Sequence, residues 1–439
     1  AQPLLDEKKY LEELDKLKSS DVEVFSEPDE SDPDKAPLQL EPEPVPVAAG
    51  IDNLKHAQPL LDEKKYLEEL DKLKYSDIEI FSEPDESDPD KAPLQVEQEP
   101  VPVTAGIGNL KHAQHLLDEK KYLEAWNATL EAISLRSFHP EAYLHLTEIA
   151  LCVNDEVQAK KCLEVLAELT PKWTIASQAL DSLKKQPNLS TSDFNWPNLP
   201  QRNTTPDISA CMIVKDEERF LGQCLESLKG TVNQIVIVDT GSTDRTIEIA
   251  EEHGAEVYHF DWCDDFAAAR NFALEQVRGD WILILDADEV LTSQGRKGLK
   301  HDTQQTDFLG CRVRCTNMEP SDNGGYQPMA DAWHFIPRLT RNAPGLHFVG
   351  TIHEQIFSSV QIRAEEWGME GGFGKTEIEH YGYSEEIKKS RNKTERNISL
   401  IEKALEKNPH EPTLLMSYSL DLFNRGEIEL ALEKLRESF

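Results

Sequence analysis

The chain has 439 residues, room for two or three domains, and a formal net charge of −36 at pH 7 from 82 acidic and 46 basic side chains. That charge argues against nucleic acid and against an anionic membrane surface as partners. No apolar run reaches the ~18 residues of a membrane-crossing helix. The seven scattered cysteines form no Cys-x-x-Cys pair and read as reduced thiols of a cytoplasmic protein.

Residues 1–112 contain two near-identical copies with a period of about 56 residues, which together carry about half of the net charge. Each copy has a short helical stretch, LLDEKKYLEELDKLK, followed by an acidic, proline-rich tail. Such a tail buries too little apolar surface to offset the entropy of ordering it, so the segment is expected to be largely disordered. Over residues 113–185 the pattern changes to paired amphipathic helices. Leu116, Tyr122, Ala125, Leu130 and Ile133 precede a break at Ser137-Phe138-His139-Pro140, and Tyr143, Leu146 and Ile149 follow it. Helix pairs closed by a proline resemble tetratricopeptide repeats. Residues 186–206 read as a linker.

Residues 207–384 alternate strands with helices, which implies a mostly parallel α/β sheet with crossovers. ISACMIV (208–214) is a predicted strand, and residues 220–228 have helical apolar spacing. IVIV (235–238) is a second strand; it runs into Asp239-Thr240-Gly241-Ser242-Thr243-Asp244, where Ser242 or Thr243 is the expected cap of a helix over 246–253. A third strand spans 256–260, and a helix over 266–277 carries Arg270 and Asn271. WILILDADE (281–289) is a strand buried on both faces, ending in Asp286 and Asp288. If the chain stays extended, these two carboxylates share one side, and two hard oxygen ligands suit Mg²⁺ or Mn²⁺ beside a substrate phosphate. Further on, a strand over 334–339 and a turn at 342–345 lead to Gly350-Thr351-Ile352-His353-Glu354. Trp333 is a candidate for stacking on a sugar face.

In sequence order, MIVKDEE, IVIVDTGSTDRT, FAAARNFAL and DWILILDADE resemble the family 2 glycosyltransferases of the GT-A fold. The resemblance covers residues 207–384. It implies an inverting, metal-dependent enzyme, with Mn²⁺ or Mg²⁺, that moves a hexosyl or N-acetylhexosaminyl group from a nucleotide-sugar, with a UDP-sugar as first expectation. Asp239 then matches the contact to the uracil or ribose, Arg270 a basic residue near the diphosphate, and Glu217 the acidic residue after the first strand. Asp286 and Asp288 match the Asp-x-Asp pair, with Asp288 the more direct metal ligand. Glu354 is the expected general base, His353 a metal or phosphate contact, and His380 a late metal ligand.

Residues 385–439 return to helical spacing with a second tetratricopeptide-like pattern. The missing Met at residue 1 and the helical pattern running to Phe439 read as the ends of a fragment. The repeats are expected to hold the acceptor, a peptide or protein in one reading and a saccharide in the other, or to bind a protein partner. The reading from a different class is a non-catalytic interaction protein with a degenerate transferase domain.

Overall fold

A computed structural model describes residues 106–201, 204–321, 323–382 and 393–438. The described residues all belong to one compact unit, Pro100–Phe439. The expectations for residues 1–105 lie outside the described residues.

Five helices come first: α1 (Lys111–Asp118), α2 (Tyr122–Leu135), α3 (Pro140–Cys152), α4 (Glu156–Leu169) and α5 (Thr174–Lys184). Consecutive helices pack on one another, around Trp126, Tyr143, Leu146, Leu163 and Leu166, which are all but fully buried. Local chemistry sets the ends. Pro140 stands in the first turn of α3, where its missing N–H costs nothing. The His139 ring accepts from the Ala142 N–H at 3.2 Å, and its other nitrogen donates to the Gly108 carbonyl at 2.7 Å. Asp155 caps α4 through the Gln158 N–H.

The linker does not hang free. Trp196 stacks on Phe194 and lies 4.5 Å, centroid to centroid, from Trp126. Its indole N–H donates to Asp155, and the Trp126 indole donates to the Pro197 carbonyl. These contacts fix residues 194–197 on α2 and on the start of α4.

The sheet begins with β1 (Ile208–Val214), α6 (Leu221–Leu228), β2 (Gln234–Asp239), α7 (Thr246–Glu252), β3 (Glu256–His259), α8 (Phe266–Gln276) and β4 (Trp281–Ile284). These four strands pair in parallel in the order β3-β2-β1-β4, as the alternation predicts. β4 is buried along its whole length, with Trp281 and Leu283 in one core with Met212, Leu221, Leu225 and Ile237. Each such side chain contributes roughly 1.5–3 kcal/mol by leaving water.

Beyond β4 the sheet is mixed. β5 (Glu289–Leu291) and α9 (Ser293–Asp302) precede a long hairpin, β6 (Phe308–Pro320) and β7 (Tyr326–Arg341). After α10 (Phe357–Trp367) comes β8 (Glu370–His380). The full order is β3-β2-β1-β4-β7-β6-β8-β5, and β4–β7, β6–β7 and β5–β8 are antiparallel. The sequence reading covered only residues 334–339 of this hairpin. The Asp302 carboxylate, 1% exposed, accepts from the Lys375 and Thr376 N–H groups, in the part of β8 that β5 does not pair.

Three helices close the chain: α11 (Lys393–Lys407), α12 (Pro412–Arg425) and α13 (Ile428–Glu437), each packed on the next. Gly426, at φ +87°, terminates α12 in the left-handed conformation that glycine adopts without penalty. No helix among the described residues is long and apolar enough to cross a membrane. All seven cysteines are free.

Candidate active site

The ends of β1, β2 and β4 meet where a parallel sheet offers its ligand edge. After β1 and β2, two loops are laced together. The Asp216 carboxylate accepts from the Thr243 N–H at 2.7 Å, the Asp216 N–H donates to Ser242 Oγ, and the Glu217 N–H donates to Thr246 Oγ1. Asp239 is 2% exposed, and its carboxylate accepts from the Gly241 and Ser242 N–H groups. Gly241, at φ +104°, makes that tight return possible. Neither Ser242 nor Thr243 caps α7, contrary to expectation: Ser242 is drawn to the neighbouring loop, and Asp244 accepts from the Thr246 N–H instead.

The strand carrying the Asp-x-Asp pair ends earlier than the sequence suggests. β4 stops at Ile284, and the chain turns at Ala287 and Asp288. Period-two geometry therefore no longer applies, and the two carboxylates engage different partners. Asp286 lies between two guanidiniums, with Arg270 Nη2 at 2.6 Å from Oδ1 and Arg338 Nη2 at 2.6 Å from Oδ2. Burial works against the charge, but Arg338 and Arg270 outweigh it and hold the carboxyl far below its ordinary range. Arg338 also donates to Glu289 at 2.6 Å. Burial, opposed by Arg338 and aided by Asp286, raises Glu289.

Asp288, 5% exposed, turns the other way, and its Oδ1 lies 3.6 Å from His380 Nε2. The opposite ring nitrogen of His380 is 2.9 Å from Asn317 Oδ1. A carbonyl oxygen there fixes the proton on Nδ1 and leaves the Nε2 lone pair facing the carboxylate. Two acceptors so placed need a proton or a cation between them. Burial opposes charge on the ring, but the Asp288 hydrogen bond and charge prevail and raise His380. A Cβ at Gly382 would strike the Asp288 carboxylate and crowd the His380 ring, so a side chain here would displace Asp288 from its place beside His380. A carboxylate and an imidazole suit Mn²⁺ or Mg²⁺, the imidazole favouring Mn²⁺. Among the described residues no group of three or more His, Cys, Asp or Glu side chains could hold a metal.

Glu354 joins the site through Arg270. Its Oε1 is 2.7 Å from Arg270 Nε, so one guanidinium joins Glu354 to Asp286. Asn271, next to Arg270 on α8, exchanges hydrogen bonds with both backbone groups of Phe348 and anchors the segment leading to Glu354. His353 points elsewhere, with Nε2 4.0 Å from Asp421 of α12. Trp333 packs with Phe335 and under Arg314, on the hairpin face away from the core residue Ile336.

Arg338, Asn317 and Gly382 were not singled out from the sequence. Arg338 sits at a register shift, where Arg312 pairs with Pro337 and Cys311 with Leu339. A bulge of this kind re-aims a side chain, and only the pairing reveals it.

Residues 209–355 match the family described as Glycosyl transferase family 2. The chain contains a family 2 glycosyltransferase domain. It is 34% identical over 233 residues to a TPR repeat-containing protein of Synechococcus elongatus, covering 52% of this chain and 56% of that one. It is 25% identical over 240 residues to the SPbeta prophage-derived glycosyltransferase SunS of Bacillus subtilis, covering 54% of each. The chain thus spans about half the length of these curated relatives. A crystal structure of glucosyl-3-phosphoglycerate synthase from Mycobacterium tuberculosis, with Mn²⁺ and UDP, is 21% identical at a TM-score of 0.23, covering 26% of this chain and 44% of that one. That likeness is too slight to argue from.

Proposed function

We propose that the domain, of GT-A type, transfers a sugar from a nucleotide-sugar to an acceptor with inversion, using Mn²⁺ or Mg²⁺ held by Asp288 and His380. The observation that carries this reading is the Asp288–His380 pair, a carboxylate and an imidazole 3.6 Å apart beside Gly382. With no third protein ligand among the described residues, the remaining positions suit water and a substrate diphosphate. When bound, such a cation stabilises the charge that grows on the departing nucleoside diphosphate.

The chain's own residues have separate tasks in this proposal. Arg270 and Arg338 hold Asp286 ionised and oriented toward the donor. Asp239 shapes the loop that receives the nucleotide, while Glu217 supports it through the same laced turn. Glu354 takes the acceptor proton on Oε2, its other oxygen being held by Arg270. The nucleotide to test first is UDP, and the acceptor is a peptide, a protein or a saccharide. The rival reading, a repeat protein with an inactive transferase domain, makes the opposite prediction in the same experiment.

The test is thermal unfolding of the full chain against nucleotides and nucleotide-sugars, with and without Mn²⁺. A Mn²⁺-dependent stabilisation by UDP compounds is expected, about 2.7 kcal/mol at a hundredfold excess over Kd. Asp288→Asn should remove it and cut turnover at least about 100-fold. A cooperatively folded parent that responds to no nucleotide would favour the interaction protein.

A further inference from the structure

The C-terminal helices touch the transferase domain beside its site, at the two segments that meet at Arg270. On one side, the loop 350–354 is pinched off by mutual backbone hydrogen bonds between Val349 and Gln355. Within it Gly350 and His353 both have positive φ, +94° and +54°. A histidine in that region is strained unless its surroundings hold it. Its ring reaches out to Asp421 of α12, whose side chain is 11% exposed and whose Oδ2 has no hydrogen-bond partner. The next residue, Glu354, turns inward to Arg270. On the other side, Lys403 of α11 pairs with Asp264 at 2.5 Å, and the Arg396 guanidinium lies over the Phe266 ring. Phe266 opens α8, the helix that carries Arg270, and its N–H donates to the Thr351 carbonyl.

We infer that Asp421 is a positioning residue: it holds His353 in its left-handed conformation and so fixes Glu354 on Arg270, and through Arg270 the Asp286 carboxylate. The C-terminal helices then act as a brace on the site as well as any part they take in holding an acceptor. The catalytic consequence rests on the transferase reading above; the structural link does not.

Amide hydrogen exchange of the full chain separates the two. Asp421→Asn removes the charge at constant size, and His353→Ala removes the exposed ring. Each should speed exchange of residues 350–355 at least about fivefold, with β4 and α11–α13 exchanging as in the parent. The double variant should go no further than either single one. With a UDP-sugar as substrate, turnover should fall several-fold while KM stays within about twofold, because the link orients groups at the reacting end rather than binding the nucleotide. Parental exchange at 350–355 in a folded Asp421→Asn protein, or additive effects in the double variant, would overturn the inference. If Asp421→Asn does not fold, His353→Ala alone decides it by the same exchange measurement. A parent that binds no nucleotide sinks the transferase reading, while the exchange result still decides the link.

Discussion

The N-terminal helices enter the core of the sheet domain, whereas the C-terminal helices lean on it through polar contacts near the site. Arg136, 2% exposed at the end of α2, donates to the Leu274 carbonyl and to Asn342. Phe138 is buried against Trp367, with the Arg341 guanidinium 4.6 Å from its ring centroid. Arg341 lies at the same time over Trp281, the first residue of β4, so the helices share a cation–π stack with the central strand. Glu141 adds contacts to Arg363 and Trp367. On the other side, Lys403 and Asp264 are about half exposed, and His353 is 43% exposed. Two sets of similar helices thus have different consequences. Buried attachment couples the first set to the stability of the sheet, and exposed attachment leaves the second free to act on the geometry of one loop.

The largest test of this contrast is Phe138→Ala. Truncating a buried aromatic that serves both layers should lower the unfolding free energy by about 3–5 kcal/mol in denaturant titrations. It should also shift helices and sheet together, in one transition. Separate transitions for the two would break the contrast.

The pH dependence of His139 comes next. Burial pulls its pKa down to about 4, against the opposing effect of its bond to Gly108. The ring is neutral in the fold, where one nitrogen caps α3 and the other donates to a carbonyl. Below the unfolded value of about 6.5 the unfolded chain takes up a proton that the fold refuses. The stabilisation is therefore complete above that value and is lost as pH falls from about 6.5 to about 4, by roughly 3 kcal/mol. Equilibrium unfolding across that range should show the loss, and His139→Asn should flatten the part of the slope that His139 supplies. An unchanged slope in the variant would show that the N-terminal helices do not share the buried coupling.

The smallest effect is expected from Lys403→Ala. An ion pair this exposed contributes little, so unfolding should change by no more than about 0.5 kcal/mol. A larger loss would mean that the C-terminal helices are built into the core as the first set is.

Much of the scaffold was legible because short-range signals agree with the fold. The runs ISACMIV, IVIV and WILI became β1, β2 and β4, and the break at Ser137–Pro140 separates two helices where the spacing placed it. The four motifs also named Asp239, Arg270, Asp286 and Asp288 at the sheet edge, and the separate segment 350–354 named Glu354. Less could be read of what those residues do to one another. The turn at Ala287 divides the two aspartates between different partners, and it stands just before Glu289, where β5 pairs with β8.

The sequence by itself determined the order of strands and helices from β1 to β4, the family and most of the charged groups at the site, because periodicity and short motifs are local properties. Only the tertiary structure brought in Arg338, Asn317 and Gly382. Each acts through a neighbour distant in sequence: a bulge in β7 that aims a guanidinium at Asp286, an amide on β6 that orients His380, and a bare backbone that leaves room for Asp288. The contact between Asp421 and His353 is of the same kind. It exists because two segments meet in space, and no pattern along the chain encodes which helix arrives at which loop.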